Sequence, residues 1–126
     1  MIIGIGIDAV EIDRVERMYA ELGDRMLNRL FTGDELSYIR DKAAPAQHLA
    51  VRLAAKEAAY KALAGNELAR GIGWRDVEVV SRDDGAPMLR LHGRAKQRYA
   101  ELGGHSIHVS LTHSITTAVA VVIVER

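Results

Sequence analysis

The run Arg52-Leu53-Ala54-Ala55-Lys56-Glu57-Ala58-Ala59-Tyr60-Lys61 sets four charges among small and apolar side chains. Glu57 and Lys61 are four apart, so in a helix they share a face. On an open surface they would form an ordinary ion pair worth about 0.2–0.5 kcal/mol. A different chemistry follows if that face borders a cleft, because Ala50, Ala54 and Ala58 share it and leave room for a ligand. A carboxylate there can ligate a hard cation, and an ammonium can neutralise phosphate. Magnesium needs only one or two protein carboxylates when substrate phosphates and water complete its octahedron. Asp8, expected at the end of an N-terminal strand, can supply the second carboxylate; on its own it is equally a cap for the helix that follows.

Two other clusters carry chemistry. In His108-Val109-Ser110-Leu111-Thr112-His113-Ser114, strand alternation puts His108, Ser110 and Thr112 on one face, with His113 at the expected turn. The histidines could hold a metal or a phosphate, although Ser, Thr and His also suit a plain turn. Early in the chain Arg14, Arg17, Arg25 and Arg29 gather near Met18 and Leu22, mixed with Glu16, Glu21 and Asp24. Mixed charges solvate exposed helices. They can equally make a partner site, with arginines engaging carboxylates and Met18 giving adaptable apolar contact.

These groups need elements to position them. Residues 2–7 place Ile3, Ile5 and Ile7 at period two, as a buried strand does. Helical spacing follows over 10–22, with Gly23 as its stop and Asp24 as the cap of a short helix to Leu30. Thr32 and Glu35 form a capping box, which opens a helix to about Lys42. Pro45 can begin a long helix to Leu63, with Leu49, Leu53, Tyr60 and Leu63 as its core stripe. Beyond a glycine-rich loop, Asp83-Asp84-Gly85-Ala86-Pro87 joins two short strands. A helix over 93–102 and a final hairpin over 107–111 and 117–124 complete an α+β reading, the last strand being apolar enough for burial on both faces.

The 126 residues suit one domain, 1–126. Zero net charge gives no global field for nucleic acid or an anionic membrane, so an acidic partner must be met by a local basic patch. Without cysteine there is no thiolate ligand, and a metal would sit on carboxylate or imidazole. Asp8, Glu11, Asp13 and Arg14 interrupt the apolar start too early for a signal peptide or membrane span, so a cytoplasmic location is expected.

Gly4-Ile5-Gly6-Ile7-Asp8 with Glu11-Ile12 and Arg14, Phe31-Thr32 with Glu35, Arg52 through Lys61, and His108-Val109-Ser110 occur in an order and spacing that resembles the bacterial holo-acyl-carrier-protein synthases along nearly the whole chain. The resemblance implies a 4′-phosphopantetheinyl transferase-like fold: one small α+β domain, a mostly antiparallel sheet packed with a long helix. It implies transfer of 4′-phosphopantetheine from coenzyme A to a serine of apo-acyl carrier protein, releasing adenosine 3′,5′-bisphosphate, in fatty-acid or polyketide synthesis. Asp8 and Glu57 would hold Mg2+, or Mn2+, against the diphosphate. Lys61 would neutralise the departing phosphate, and Glu57 or a water on the metal would take the serine proton. Arg52, Lys61, Gly65 and His113 look like coenzyme A contacts. Arg14, Met18, Arg25 and Arg29 look like the face for an acidic carrier protein. The family is typically a homotrimer with active sites shared between neighbours.

The sequence departs from the family pattern at Leu53, where an aromatic residue is usual, at Ala64-Gly65-Asn66-Glu67-Leu68 in place of a Gly-Thr-Gly-Ile loop, and at Asp84 in place of an asparagine. The metal and lysine positions are untouched. Rival readings are a magnesium-dependent pyrophosphatase acting on coenzyme A or a nucleotide, and a non-enzymatic oligomeric interaction module in which Glu57 and Lys61 are a surface pair. A nucleotide-binding fragment of a sugar kinase is disfavoured by the chain's length.

Overall fold

A computed structural model describes residues 1–64 and 70–126. The described elements are β1 (Ile2–Glu11), α1 (Ile12–Leu22), α2 (Asp24–Leu30), α3 (Gly33–Arg40), α4 (Pro45–Leu63), a 3-10 turn (Trp74–Asp76), β2 (Val77–Ser81), β3 (Pro87–Leu91), α5 (Gly93–Glu101), β4 (Ser106–His113) and β5 (Thr117–Glu125). An antiparallel sheet of order β1-β5-β4 lies against α4, and β2 and β3 form a separate hairpin. The α+β expectation holds.

Helix α4 is the axis of the molecule. Twelve of its residues are buried, on every side, because the sheet covers one flank while α1, α3, β2 and α5 pack around the others. Its C-terminal carbonyls are capped by Arg98 of α5, which is itself buried and donates to Leu63 O at 2.8 Å and Ala64 O at 3.5 Å. Tyr60, expected in the core stripe, is instead 43% exposed.

The alanine face of α4 does not border an open cleft. Ala50, Ala54 and Ala58 are fully buried, and β1 is pressed onto this helix. The approach is so close that a Cβ on Gly4 would stand 2.1 Å from Ala62 O, and one on Gly6 only 1.9 Å from Ala58 O. Alternation along β1 therefore sends the glycines and Asp8 toward the helix and Ile5 and Ile7 away from it. Ile5 and Ile7 are 63% and 62% exposed, so the strand is not buried as its isoleucines suggested. They stand opposite Ile123 and Val121 of β5, which is itself fully buried only at Ala118, Ala120, Val122 and Val124. The outer sheet face is apolar and uncovered within one chain.

Strand β1 also runs further than expected. Asp8 lies inside it, paired with Ala120, and caps no helix; Glu11 occupies the position before α1 and makes no side-chain cap. Gly23, with φ +57°, precedes α2, while Asp24 is a first-turn residue that makes no cap. The Thr32–Glu35 capping box is present, yet Glu35 does more than cap. Its carboxylate, almost wholly buried, also accepts from Val79 N at 3.1 Å and Lys56 Nζ at 2.8 Å.

The glycine contact predicts a contrast between two substitutions. Gly6→Ala should cost about 1–3 kcal/mol or more, since the Ala58 carbonyl must be displaced. Gly33→Ala, with open space at its Cβ and an unremarkable φ, should stay within about 0.5 kcal/mol. Urea denaturation of the two variants measures both.

Candidate active site

The close seating of β1 on α4 brings Asp8 beside Glu57 and Lys61. Lys61 Nζ donates to Asp8 Oδ1 at 2.9 Å and to the Ile7 carbonyl at 3.1 Å. The ammonium is about half exposed, whereas the Asp8 side chain is mostly covered. Asp8 Oδ2 is buried with no fixed hydrogen-bond donor, and the neighbouring Glu57 carboxyl can donate to Asp8 only while it carries a proton. Burial first, and then the neighbouring Asp8 carboxyl, push Glu57 up to about 7; the charges of Arg14 and Lys61 oppose that rise. Burial pushes Asp8 upward too, but hydrogen bonding with Glu57 and Lys61 outweighs it and leaves Asp8 below its ordinary value. The Asp8 hydrogen bond raises Lys61.

Two carboxyls forced together with one lone pair unserved are electrostatically incomplete. They can share a proton or hold a cation. The donors are hard oxygens, and among the described residues no cluster of three or more His, Asp or Glu side chains exists that would make an all-protein cage. This donor set fits a cation that keeps most of its shell for water and phosphate.

Two cavities flank Glu57. One, of about 370 Å3, is lined by Lys56, Glu57, Tyr60, Lys61, Ile72 and Trp74. The other, of about 140 Å3, is bounded by Arg14 and Met18 of α1, Leu53, Glu57 and again Trp74, among others. Trp74 is thus the shared wall. Arg14, Met18 and Leu22 fall four apart on one face of α1, and Arg25 and Arg29 are exposed on α2. Of the anticipated partner residues, Arg14 and Met18 reach the cavity beside Glu57, while Arg25 and Arg29 do not line it.

Arg52 and His113 are brought together, but elsewhere. Nine residues separate Arg52 from Lys61, about 180° around a helix, and they face opposite sides of α4. A third cavity, of about 230 Å3, is lined by Tyr38, His48, Arg52, Ser81, Thr112 and His113, with others. The Arg52 guanidinium lies 4.5 Å from the Tyr38 ring centroid and donates to His48 O at 3.3 Å; its buried Nε has no partner. Lys42 Nζ sits 4.3 Å from the same ring. Burial, then the charges of Arg52, Lys42 and His113, hold His48 below its ordinary value. Such crowding of cations suits an anionic group. His108 is not part of it: its ring bonds Glu125 Oε1 at 2.6 Å on the outer sheet face. Gly65 lies outside the described residues, as does most of the altered 64–68 segment.

Sequence reasoning missed Trp74, Tyr38 and His48. Trp74 is the only tryptophan in the chain, and His48 stands four residues before Arg52, so each had a faint signal.

The model of the 4′-phosphopantetheinyl transferase superfamily matches residues 4–120. A holo-[acyl-carrier-protein] synthase of Geobacter metallireducens is 48% identical over 126 residues, spanning 100% of this chain and 99% of that one. One from Treponema denticola is 51% identical, with 99% of both chains covered. The crystal structure of the Neisseria meningitidis holo-[acyl-carrier-protein] synthase superposes with a TM-score of 0.88 at 27% identity, covering both chains completely. That of the Helicobacter pylori synthase, in complex with coenzyme A, gives 0.80 at 28% identity over 96% of this chain and 99% of that one. With the site geometry and these full-length similarities in agreement, the chain belongs to the 4′-phosphopantetheinyl transferase superfamily, among the holo-[acyl-carrier-protein] synthases.

Proposed function

We propose that the protein transfers 4′-phosphopantetheine from coenzyme A to a serine of an acidic apo-acyl carrier protein, releasing adenosine 3′,5′-bisphosphate and arming the carrier for fatty-acid synthesis. The observation that carries the reading is the unserved Asp8 Oδ2 beside Glu57 and Lys61. Asp8 and Glu57 would hold magnesium, with manganese as a substitute. Bound there, the cation supplies charge neutralisation for the diphosphate. Lys61, half exposed and pinned through Asp8, is free on its outer side to donate to a phosphate oxygen as the leaving group departs. Among this chain's own groups Glu57, which borders both cavities, is the candidate acceptor of the serine proton. Arg14 and Met18 open the serine's approach, and Arg25 and Arg29 add charge for carboxylates on the carrier.

The active form in this reading is a cytoplasmic homotrimer with a shared site. Support comes from two features of one chain. Its nucleotide-suited cations and its carboxylate pair face opposite sides of α4, so a single copy does not present both to one molecule of coenzyme A. Its outer sheet face exposes Ile5 and Ile7 side by side, an apolar surface that association would cover. Among the described residues no helix is long and apolar enough to cross a membrane.

Three outcomes are expected. With Mg2+, coenzyme A and apo-carrier protein, the carrier gains the mass of phosphopantetheine; Glu57→Gln lowers that rate by about 10²-fold or more while circular dichroism is unchanged. Turnover of coenzyme A without carrier would contradict the transferase reading. Second, Glu57 binds its proton more tightly folded than unfolded, so its contribution to stability is present below its ordinary 4.5 and is lost as pH rises through about 7. Mg2+ competes with that proton and should raise the melting temperature more at about pH 8 than at about pH 5.5, a difference that Glu57→Gln removes. Third, Ile7→Asp should yield a monomer by light scattering with activity reduced about tenfold or more.

A further inference from the structure

The motif Lys56-Glu57 places two charges side by side, and only Glu57 belongs to the site described so far. Lys56 is 2% exposed. All of its donor capacity is spent: Nζ donates to Glu35 Oε1 at 2.8 Å, to Trp74 O at 3.0 Å and to Val77 O. Glu35 is equally committed, accepting from Thr32 N and Val79 N as well. A saturated buried pair therefore links α3, α4 and the start of β2 through the one segment that carries Trp74. The backbone of that segment is held by Lys56, while its indole stands 38% exposed as the wall between the two cavities flanking Glu57.

Beside Glu57 and Lys61, the described lining of the larger cavity is Tyr60, Ile72, Trp74 and Lys56, whose ammonium is spent on Glu35 and two main-chain carbonyls. Coenzyme A has one uncharged limb, the pantetheine arm with its gem-dimethyl group and amides, and this limb stays bonded to the phosphorus under attack while the bisphosphate departs. The nucleotide phosphates need cations, and those crowd around Arg52 on the other side of α4. A cavity of about 370 Å3 lies within the size range of small-ligand sites.

Building on the transferase reading above, we propose that Trp74 is a binding residue for the pantetheine arm, and that Lys56, anchored by Glu35, is a positioning residue that fixes Trp74 beside Glu57. The indole face packs along the arm and keeps it out of the cavity through which the carrier serine arrives. The Lys56 ammonium is turned away from the arm, and it sets the place of the main chain behind the indole.

Calorimetry with two ligands tests this. Coenzyme A carries the arm, and adenosine 3′,5′-bisphosphate lacks it. Trp74→Ala, which leaves the backbone carbonyl and hence the Lys56 network intact, should weaken coenzyme A about tenfold and raise its KM similarly, with the bisphosphate changed less than about twofold. For Lys56 the suitable variant is the paired Glu35→Gln/Lys56→Met, which leaves no uncompensated buried charge. It should show the same selective loss for coenzyme A, and adding Trp74→Ala to it should lose little more. Equal weakening of both ligands by Trp74→Ala, or no weakening, overturns the arm site. A paired variant with the wild-type ratio of the two affinities overturns the role of Lys56. Neither result touches the transferase reading, which fails if the wild-type protein modifies no carrier or turns over coenzyme A without one.

Discussion

Everything functional in this chain depends on how closely one strand can lie on one helix. Where β1 crosses α4, backbone meets backbone, and the Ala58 and Ala62 carbonyls occupy the space that side chains on Gly6 and Gly4 would need. Only glycine on the strand and alanine on the helix permit that distance. Its consequence is chemical. The next inward residue of the strand is Asp8, and the helix presents Glu57 and Lys61 at that level, so two carboxyls and an ammonium meet at the edge of a packed, water-poor contact. A looser contact would let water solvate each group separately and remove the burial, and with it the pressure from Asp8, that raises Glu57.

The same contact makes α4 a partition. With the sheet on one flank and the hairpin and small helices on the others, charges on the helix must emerge at different sides. Arg52 joins Tyr38, His48 and His113, whereas Glu57 and Lys61 join Asp8. Lys56 takes a third direction, into the core, where Glu35 and two main-chain carbonyls compensate its charge. Such a buried pair is weak evidence for stability, since desolvation offsets much of its attraction. It does impose one arrangement on the segments it joins, and those segments border the reaction.

Much of the fold was legible because it follows local rules. The Thr32–Glu35 box, Pro45 at the start of α4 and the Asp84-Gly85 turn all stand where turn and cap chemistry put them. Asp8, Glu57 and Lys61 do stand together, but for a physical reason other than the one their spacing suggests. The alanines suggest an open cleft by their size, but Ala50, Ala54 and Ala58 are fully buried and Ala58 lies under β1. The isoleucines were taken as core from their periodicity alone, yet Ile5 and Ile7 face outward, since period two does not say which set of alternate residues is inside and here the glycines are. Trp74, Tyr38 and His48 escaped notice because their roles arise from segments far apart in the chain, and Lys56 because a buried lysine looks like any other until its partners are in place.

The central claim is that Asp8 and Glu57 form one cation site created by the glycine contact. Anomalous scattering from a crystal grown with Mn2+ and coenzyme A tests it most directly. The account predicts one strong manganese peak in each subunit, coordinated by Asp8 Oδ2 and a Glu57 oxygen and by the diphosphate, with Lys61 still bonded to Asp8 Oδ1. A peak held by other residues, or a bound coenzyme A whose diphosphate lies away from Asp8 and Glu57, would contradict it.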